Sequence, residues 1–497
     1  MTDAARPKRE PSYADAIIPL VTLVVAIAGG LSLFGLDALD GPIQAALIVC
    51  SMVTSVIILK NGHSWEEVAE SSRRGLSSIV SAIFILLGVG ALIGTWNLSG
   101  TIPTLVYYGL QWIHPSFYYV STALICAATS LSIGSSWTTA GTVGVGLVGI
   151  ASLLGVSPAI TAGAVISGAY LGDKTSPLSE TTVLASQLAG ADLYTHVRAQ
   201  AWTSVPAFLV AAAIFAVLGL HGNGVLPDEA SASADLHQLN KLFWITPLNL
   251  IPLVALLAMS LKKSPSSLAI VTAALLAGIL GCFTQPDVVR RFMAEPELAG
   301  PLLYVKAIWK AMASGFEANS GLKDVDTLLS RGGMDSMLKT IWLIIGAVTF
   351  GTLLEEFGLL GKLIDPLIRG ARSDGRLFAT TAGTALGLNI VAADQYIALV
   401  LPVRTFKGEF EARGFAPEVL SRAAADAGTV TSPLIPWNSC GAYMSAVLGV
   451  PTLLYLPFCI FNILSPILTV LYGATGFRIT RAQPRIAGRS AAARLPE

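Results

Sequence analysis

The chain has 497 residues, 53% of them hydrophobic and 12% charged, with a mean hydropathy of +0.67; soluble domains carry about twice that charge, so lipid is the expected solvent. The 31 basic and 31 acidic residues cancel, which gives no reason to expect nucleic acid or an acidic macromolecule as partner. The five cysteines (Cys50, Cys126, Cys282, Cys440, Cys459) lie in apolar stretches without CxxC spacing, a pattern that argues against a disulfide framework or a transition-metal site and reads as packing.

From the N-terminus, a short polar segment with Arg6, Lys8 and Arg9 precedes a first apolar run, Ala16 to Leu33, that no small-residue cleavage site follows; it is read as a retained helix. Comparable runs recur to the end of the chain, among them Ile79 to Ile93 and Phe243 to Leu261, and imply about 10 to 14 crossings of a bilayer core. Basic residues collect in 1–11, 60–74, 262–263, 369–376, 404–422 and 478–494. Short loops rich in Lys and Arg stay cytoplasmic, so the expectation is a multi-pass protein of the inner (plasma) membrane with both termini inside.

The chain repeats itself. Thr175-Ser176-Pro177-Leu178 returns as Thr431-Ser432-Pro433-Leu434, an offset of 256, and within three residues the same offset aligns Gly88 with Gly346, Gly100 with Gly358, Gly172 with Gly428 and Gly190 with Gly449. Five segments follow: N-terminal transmembrane helices over 1–75, repeat one over 76–220, a linker with two transmembrane helices and a polar loop over 221–336, repeat two over 337–477, and a basic cytoplasmic tail over 478–497. Loops 111–116 and 149–158 of repeat one lack Lys and Arg, whereas their counterparts 369–376 and 404–422 are basic; the third pair reverses, 192–200 carrying His196 and Arg198 while 450–456 is uncharged. Equivalent loops thus face opposite sides. The fold expected is all-α, with two inverted-topology repeats interrupted inside the membrane, a design common to secondary transporters.

Repeat one is interrupted by 132–141 and 172–182, repeat two by 389–396 and 426–439. Gly and Pro release backbone groups from the helical ladder there, and such groups persist at membrane depth only in protein interior or around a wet cavity. Half-helix ends, unwound carbonyls and hydroxyls resemble the oxygen surroundings that replace a sodium ion's hydration shell. Proton coupling needs a carboxylate available in both protonation states, and Asp173, Glu180, Asp394 and Asp426 are the candidates. Asp394 has no cationic neighbour in sequence and is preferred. Each has a structural reading too: Asp173 paired with Lys174, Glu180 capping the next half-helix, Asp426 paired with Arg422 one turn before it. Ser135, Ser136, Thr138, Thr175, Ser176, Ser179, Asn389, Gln395, Thr429, Thr431, Ser432 and Asn438 supply neutral oxygens for sodium at the same place. Glu355-Glu356 reads as a surface pair at a span's end. The His residues lie mainly in loops and suggest no role, and without a His in the breaks no hydrolase constellation forms. A passive channel is disfavoured by paired breaks bearing titratable groups.

At these residues the sequence resembles the NhaC-type sodium/proton antiporters. The 172–182 segment is similar to that family's Gly-Asp-Lys-Met-Ser-Pro-Leu-Ser-Asp-Thr-Thr, and further likeness runs through Asp394-Gln395-Tyr396, Leu401-Pro402, 428–441, 448–452 and 472–476. The resemblance implies re-entrant hairpins, alternating access, often a homodimer, Na+ and H+ as cargo and no organic cofactor. Glu180 stands where the family commonly has Asp, and Ala393 where a Gly usually precedes Asp-Gln-Tyr. Malate/lactate exchange within the same family makes a small carboxylate the rival cargo. Carboxylates usually meet an Arg clamp; repeat one's breaks contain none, and only Arg404 and Arg422 lie near those of repeat two.

Overall fold

The structure is a computed structural model that describes residues 8–112, 114–221, 239–294, 300–318, 326 and 329–482. The expected polar linker loop at 222–238 and most of the expected basic tail lie outside these. Apart from one isolated bridge between Phe415 and Arg481, regular structure among the described residues is helical. Seven of those helices are long and apolar enough to cross a membrane, eight if the bent pair Ser439–Leu448 and Thr452–Phe458 counts as one span. Two shorter apolar helices, Pro247–Leu261 and Ile460–Thr475, fall below that length.

An N-terminal hairpin, α1 (Tyr13–Phe34) and α2 (Pro42–Lys60), is followed by an amphipathic α3 (Trp65–Ser78). Ser12 and Ser64 start α1 and α3 with capping boxes to Asp15 and Glu67, which satisfy orphan N–H groups at each helix start. Repeat one contributes α4 (Val80–Leu98), α5 (Thr101–Trp112), α6 (Tyr118–Ile133), α7 (Ser136–Thr139) running through a π-turn into α8 (Val145–Leu153), α9 (Pro158–Thr175), α10 (Glu180–Ala189) and α11 (Leu193–His221). The linker holds α12 (Ile251–Leu261), α13 (Ser266–Thr284), α14 (Pro286–Met293) and α15 (Pro301–Ser314). Repeat two contributes α16 (Leu338–Glu356), α17 (Leu359–Gly370), α18 (Asp374–Val391), α19 (Gln395–Ala412), α20 (Pro417–Thr431), α21 (Ser439–Leu448), α22 (Thr452–Tyr455) and α23 (Ile460–Thr475).

The two series correspond at their turns, although the single helix α19 stands where repeat one has α7 and α8, and α22 with α23 where it has α11. The helix pairs α4/α5 and α16/α17 are each hinged at a left-handed glycine, Gly100 (φ 73°) and Gly358 (φ 71°); α10 and α21 each end at another, Gly190 (φ 84°) and Gly449 (φ 68°). Gly172 and Gly428 mark close backbone approaches: a Cβ would come within 2.2 Å of Ser130 C on α6 in the first and 2.6 Å of Ala398 O on α19 in the second. Small residues let helices approach in this way when lipid supplies no hydrophobic drive between them.

Every residue of α9 from Thr161 to Lys174 and of α20 from Val419 to Thr431 is buried. A helix enclosed on all sides belongs to the middle of a large assembly. Around it, outer faces carry exposed aliphatic residues such as Val24, Val25 and Leu209, as a lipid-facing surface requires. Two hydrophobic cores result, and each draws on both repeats: one holds repeat one and the linker together with Tyr443, Val447 and Phe461, the other holds α1, α2 and repeat two together with Ala185 and Ala189 of α10.

Candidate ion-binding site

Each repeat breaks its third helix in the same way. After α6 the chain turns through Gly134 (φ 79°), and Ser135 caps α7 by accepting from Thr138 N at 3.2 Å. After α18 it turns through Ala393 (φ 55°), and Asp394 caps α19 by accepting from Tyr396 N at 2.8 Å and Ile397 N at 3.0 Å. Both bonds fall on Asp394 Oδ1; Oδ2 has no hydrogen-bond partner among the described residues. The residue is 6% exposed. A carboxylate at a half-helix N-terminus gains from the backbone dipoles, but no side-chain cation among the described residues lies within ion-pair distance.

Asp173 near the end of α9 is 7% exposed and is held by hydroxyls alone. Ser136 donates to Oδ2 at 2.5 Å, and Ser179 and Thr181 donate to Oδ1 at 2.7 and 3.3 Å. Its neighbour Lys174 points elsewhere. The ammonium forms a fully buried ion pair with Asp426 of α20, donates to Ser465 Oγ at 2.7 Å and lies 5.6 Å from the Phe461 ring centre. Thr203 Oγ1 donates to Asp426 Oδ1 at 3.1 Å, and Thr469 donates to Oδ2. The two adjacency pairs considered from sequence, Asp173 with Lys174 and Asp426 with Arg422, are therefore replaced by one pair that joins the repeats. For the first pair the physical reason is helical direction: consecutive residues project about 100° apart, so Lys174 leaves the face that Asp173 occupies; Arg422 and Asp426 share a face, but Arg422 turns its Nη1 to Arg478 O at 3.1 Å instead.

Glu180 opens α10, is exposed, and accepts from Tyr396 Oη at 3.2 Å. Tyr396 therefore joins the start of α19 in repeat two to the start of α10 in repeat one. Asp426 stands apart with Lys174.

The neutral candidates divide by what already occupies them. Ser176 donates to Leu131 O, Thr175 to Leu171 O, and Thr431 to Ala427 O, so these hydroxyls hold backbone at the breaks. Asn389 bridges Gly428 O and Thr431 Oγ1 at 2.7 and 2.9 Å, and Asn438 caps α21 while reaching Asn389 at 3.1 Å. Gln395 Oε1 accepts from Ser432 Oγ and from Cys440 Sγ, each at 2.9 Å, and Ser432 faces Tyr170 Oη of repeat one at 3.4 Å. Thr138 donates to Ser135 Oγ at 3.1 Å. Thr429 differs: it is fully buried and its hydroxyl oxygen has no partner among the described residues. At the repeat offset of 256 it occupies the place of Asp173.

Sequence reasoning missed Lys174 as Asp426's partner, the Tyr396–Glu180 contact between the repeats and the Trp137–Tyr443 stack (4.0 Å, 12°) between repeat one's first break and α21. The lone cation in an apolar span was a signal for Lys174, since such a charge needs a buried partner; nothing in sequence pointed to the stack. His196, expected in a loop without a role, is buried in α11 between Ser421 Oγ (2.7 Å) and Gln200 (3.3 Å). Of the Glu355-Glu356 pair, Glu356 is exposed and meets Arg74 through two bonds of 2.9 and 2.6 Å, whereas Glu355 is half-buried. The free cysteines and the absence of any cluster of three His, Cys, Asp or Glu among the described residues leave carboxylates and hydroxyls as the ligands on offer.

Broken, symmetry-related helices around buried carboxylates define a polytopic membrane carrier. The chain matches the Na+/H+ antiporter family over residues 13–222 and again over 168–477, and it belongs to that family. It is 36% identical to the "Na(+)/H(+) antiporter NhaC" of Alkalihalophilus pseudofirmus over 88% of this chain and 91% of that protein. It is 35% identical to the "Malate-2H(+)/Na(+)-lactate antiporter" of Bacillus subtilis (88% and 90%) and 34% identical to the "Arginine/ornithine antiporter ArcD" of Halobacterium salinarum (96% and 95%). Among solved structures, the Alcanivorax borkumensis YdaH transporter aligns over 93% of this chain and 99% of its own at 12% identity, with a TM-score of 0.40.

Proposed function

We propose that this carrier exchanges Na+ for H+ by alternating access, with Asp394 and Asp173 as the groups for which the two ions compete. The observation that carries this assignment is the distribution of charge among the buried groups. Asp426 is neutralised by Lys174, whereas Asp173 and Asp394 meet only hydroxyls and backbone N–H groups. A buried carboxylate without a cation is costly when ionised, so it holds either a proton or a sodium ion, and occupancy by one excludes the other. Ser135, Ser136, Thr138, Ser179, Thr429 and Gln395 furnish the surrounding oxygens, and Glu180 with Tyr396 stands at the rim.

Further parts of the reading go with it. Repeats at 76–220 and 337–477 supply the two gates, with 1–75 and 221–336 as scaffold. Arg413 and Arg481 meet Asp374 at 3.4 and 3.1 Å, which brings three of the basic segments together and supports a cytoplasmic C-terminus; an inner membrane and a homodimer belong to the same reading. A small carboxylate as cargo is the second reading, favoured by the malate/lactate relative. Against it, no Arg or Lys among the described residues contacts Asp173 or Asp394, and Arg404 is exposed.

Purified protein in proteoliposomes with an internal pH dye separates the two. Proton movement on adding NaCl, but not KCl, and unchanged when malate replaces chloride, is the expected result. Movement that requires malate would replace sodium/proton exchange by carboxylate exchange.

A further inference from the structure

Away from the helix breaks, a cleft of about 390 Å³ opens between the first turns of α11, the first turns of α20 and the segment that follows α23. Its walls include Arg198, Trp202, Glu418, Arg422, Arg478 and Thr480. Three arginines and one glutamate are among the lining residues, and none of the three arginines makes an ion pair within 4 Å among the described residues.

Arg422 is the informative one. It is 1% exposed. Its Nη1 donates to Arg478 O at 3.1 Å, while Nε and Nη2 have no hydrogen-bond partner among the described residues. Those two groups form one edge of the guanidinium plane, the edge whose parallel N–H bonds match two oxygens of a single oxyanion. A buried donor pair left unmatched is expensive. Arg478 is set in place by stacking on Trp202, its guanidinium carbon 3.8 Å from the ring centre. Trp202 lines the cleft and Tyr472 lies behind it, donating to Trp202 O at 3.1 Å with its ring centre 6.0 Å from the Arg422 guanidinium; such amphipathic rings gather at the level of lipid headgroups.

We propose that this cleft binds a phosphate group, with the Nε/Nη2 edge of Arg422 as bidentate donor and Arg478 and Arg198 as flanking charges. A phospholipid headgroup at the bilayer surface and a soluble phosphate both present that chemistry. The site is distinct from the ion site and stands whichever cargo the carrier moves. Because Arg422 lies one turn before Asp426 on α20, an occupant would brace the helix that carries the inter-repeat ion pair.

Thermal unfolding of the full-length carrier in a neutral detergent tests this. Potassium phosphate or dioctanoyl phosphatidylglycerol is added, against potassium chloride of equal ionic strength and dioctanoyl phosphatidylcholine as controls. The midpoint is expected to rise by about 2 °C or more over the controls at saturating ligand, and Arg422→Gln is expected to abolish the rise. Should that variant not fold, the exposed pair Arg198→Gln with Arg478→Gln is expected to remove at least half of it. A rise with the lipid alone assigns the site to a headgroup, with phosphate alone to a soluble anion, and with both to the phosphate group as such. No rise above the controls, or a rise that survives these substitutions, overturns the proposal.

Discussion

Asp394 and Ser135 stand at the same point of the two repeats, each capping a half-helix after a left-handed residue, and differ by one ionisable group. Asp394→Asn retains a capping side chain, so the folded carrier is expected to persist in the membrane while sodium-driven proton movement disappears; wild-type exchange in this variant would move the competing group to Asp173 or Glu180. Thr429 offers a cleaner test of an oxygen ligand than Ser176 or Thr431, whose hydroxyls already bond to the backbone. Thr429→Val removes a hydroxyl that has no protein partner. A lost ligand of about 1 kcal/mol would raise the half-saturating sodium concentration roughly fivefold, and an unchanged value would leave Thr429 outside the ion's shell. Ala393 answers the question raised by the family's usual glycine. It holds φ 55° where its counterpart Gly134 holds 79°, and L-residues pay about 1–2 kcal/mol in that region. Ala393→Gly is therefore expected to raise the unfolding midpoint, offset in part by the freedom glycine gains when unfolded.

At the scale of elements, the helix interruptions were legible because Gly, Pro and clustered hydroxyls mark them directly in sequence. What each interruption touches was not. Lys174 and Asp426 are separated by about 250 residues, and their pairing follows only once α9 and α20 lie side by side, with Thr203, Ser465 and Thr469 completing the bonds. Removing one partner leaves an uncompensated buried charge, a loss of about 3–5 kcal/mol. Lys174→Met and Asp426→Leu are each expected to lower the unfolding midpoint sharply. The double variant, with no stranded charge, is expected to recover a large part of that loss. Strictly additive losses in a double-mutant cycle would mean that the two groups do not depend on each other.

At the scale of the whole molecule, left-handed glycines recur at corresponding turns of the two halves, and the glycine spacing with the Thr-Ser-Pro-Leu pair marked them in sequence. Interleaving was not readable: α10 packs into the core of repeat two, while α21 packs with repeat one. Side-chain packing between distant segments leaves no periodic trace in the sequence, whereas backbone turns do. Opposite orientation of the repeats predicts that single cysteines at Ser116 and Arg372, placed in a chain with its native cysteines replaced, react with impermeant reagents from opposite sides of the membrane. Labelling of both from one side would exclude inversion.

Synthesis adds a time axis to the bridge between Lys174 and Asp426. At about 5–20 residues per second, Asp426 leaves the ribosome roughly 12–50 s after Lys174. Through that interval the membrane holds an ammonium deep in an apolar helix with its carboxylate still unmade, a costly state that favours a wet or transiently displaced α9. Chains that stop after repeat one should never settle, and quality-control proteases should find them. Supplying repeat two as a separate polypeptide in the same cell should rescue them, since the missing anion then arrives from another chain.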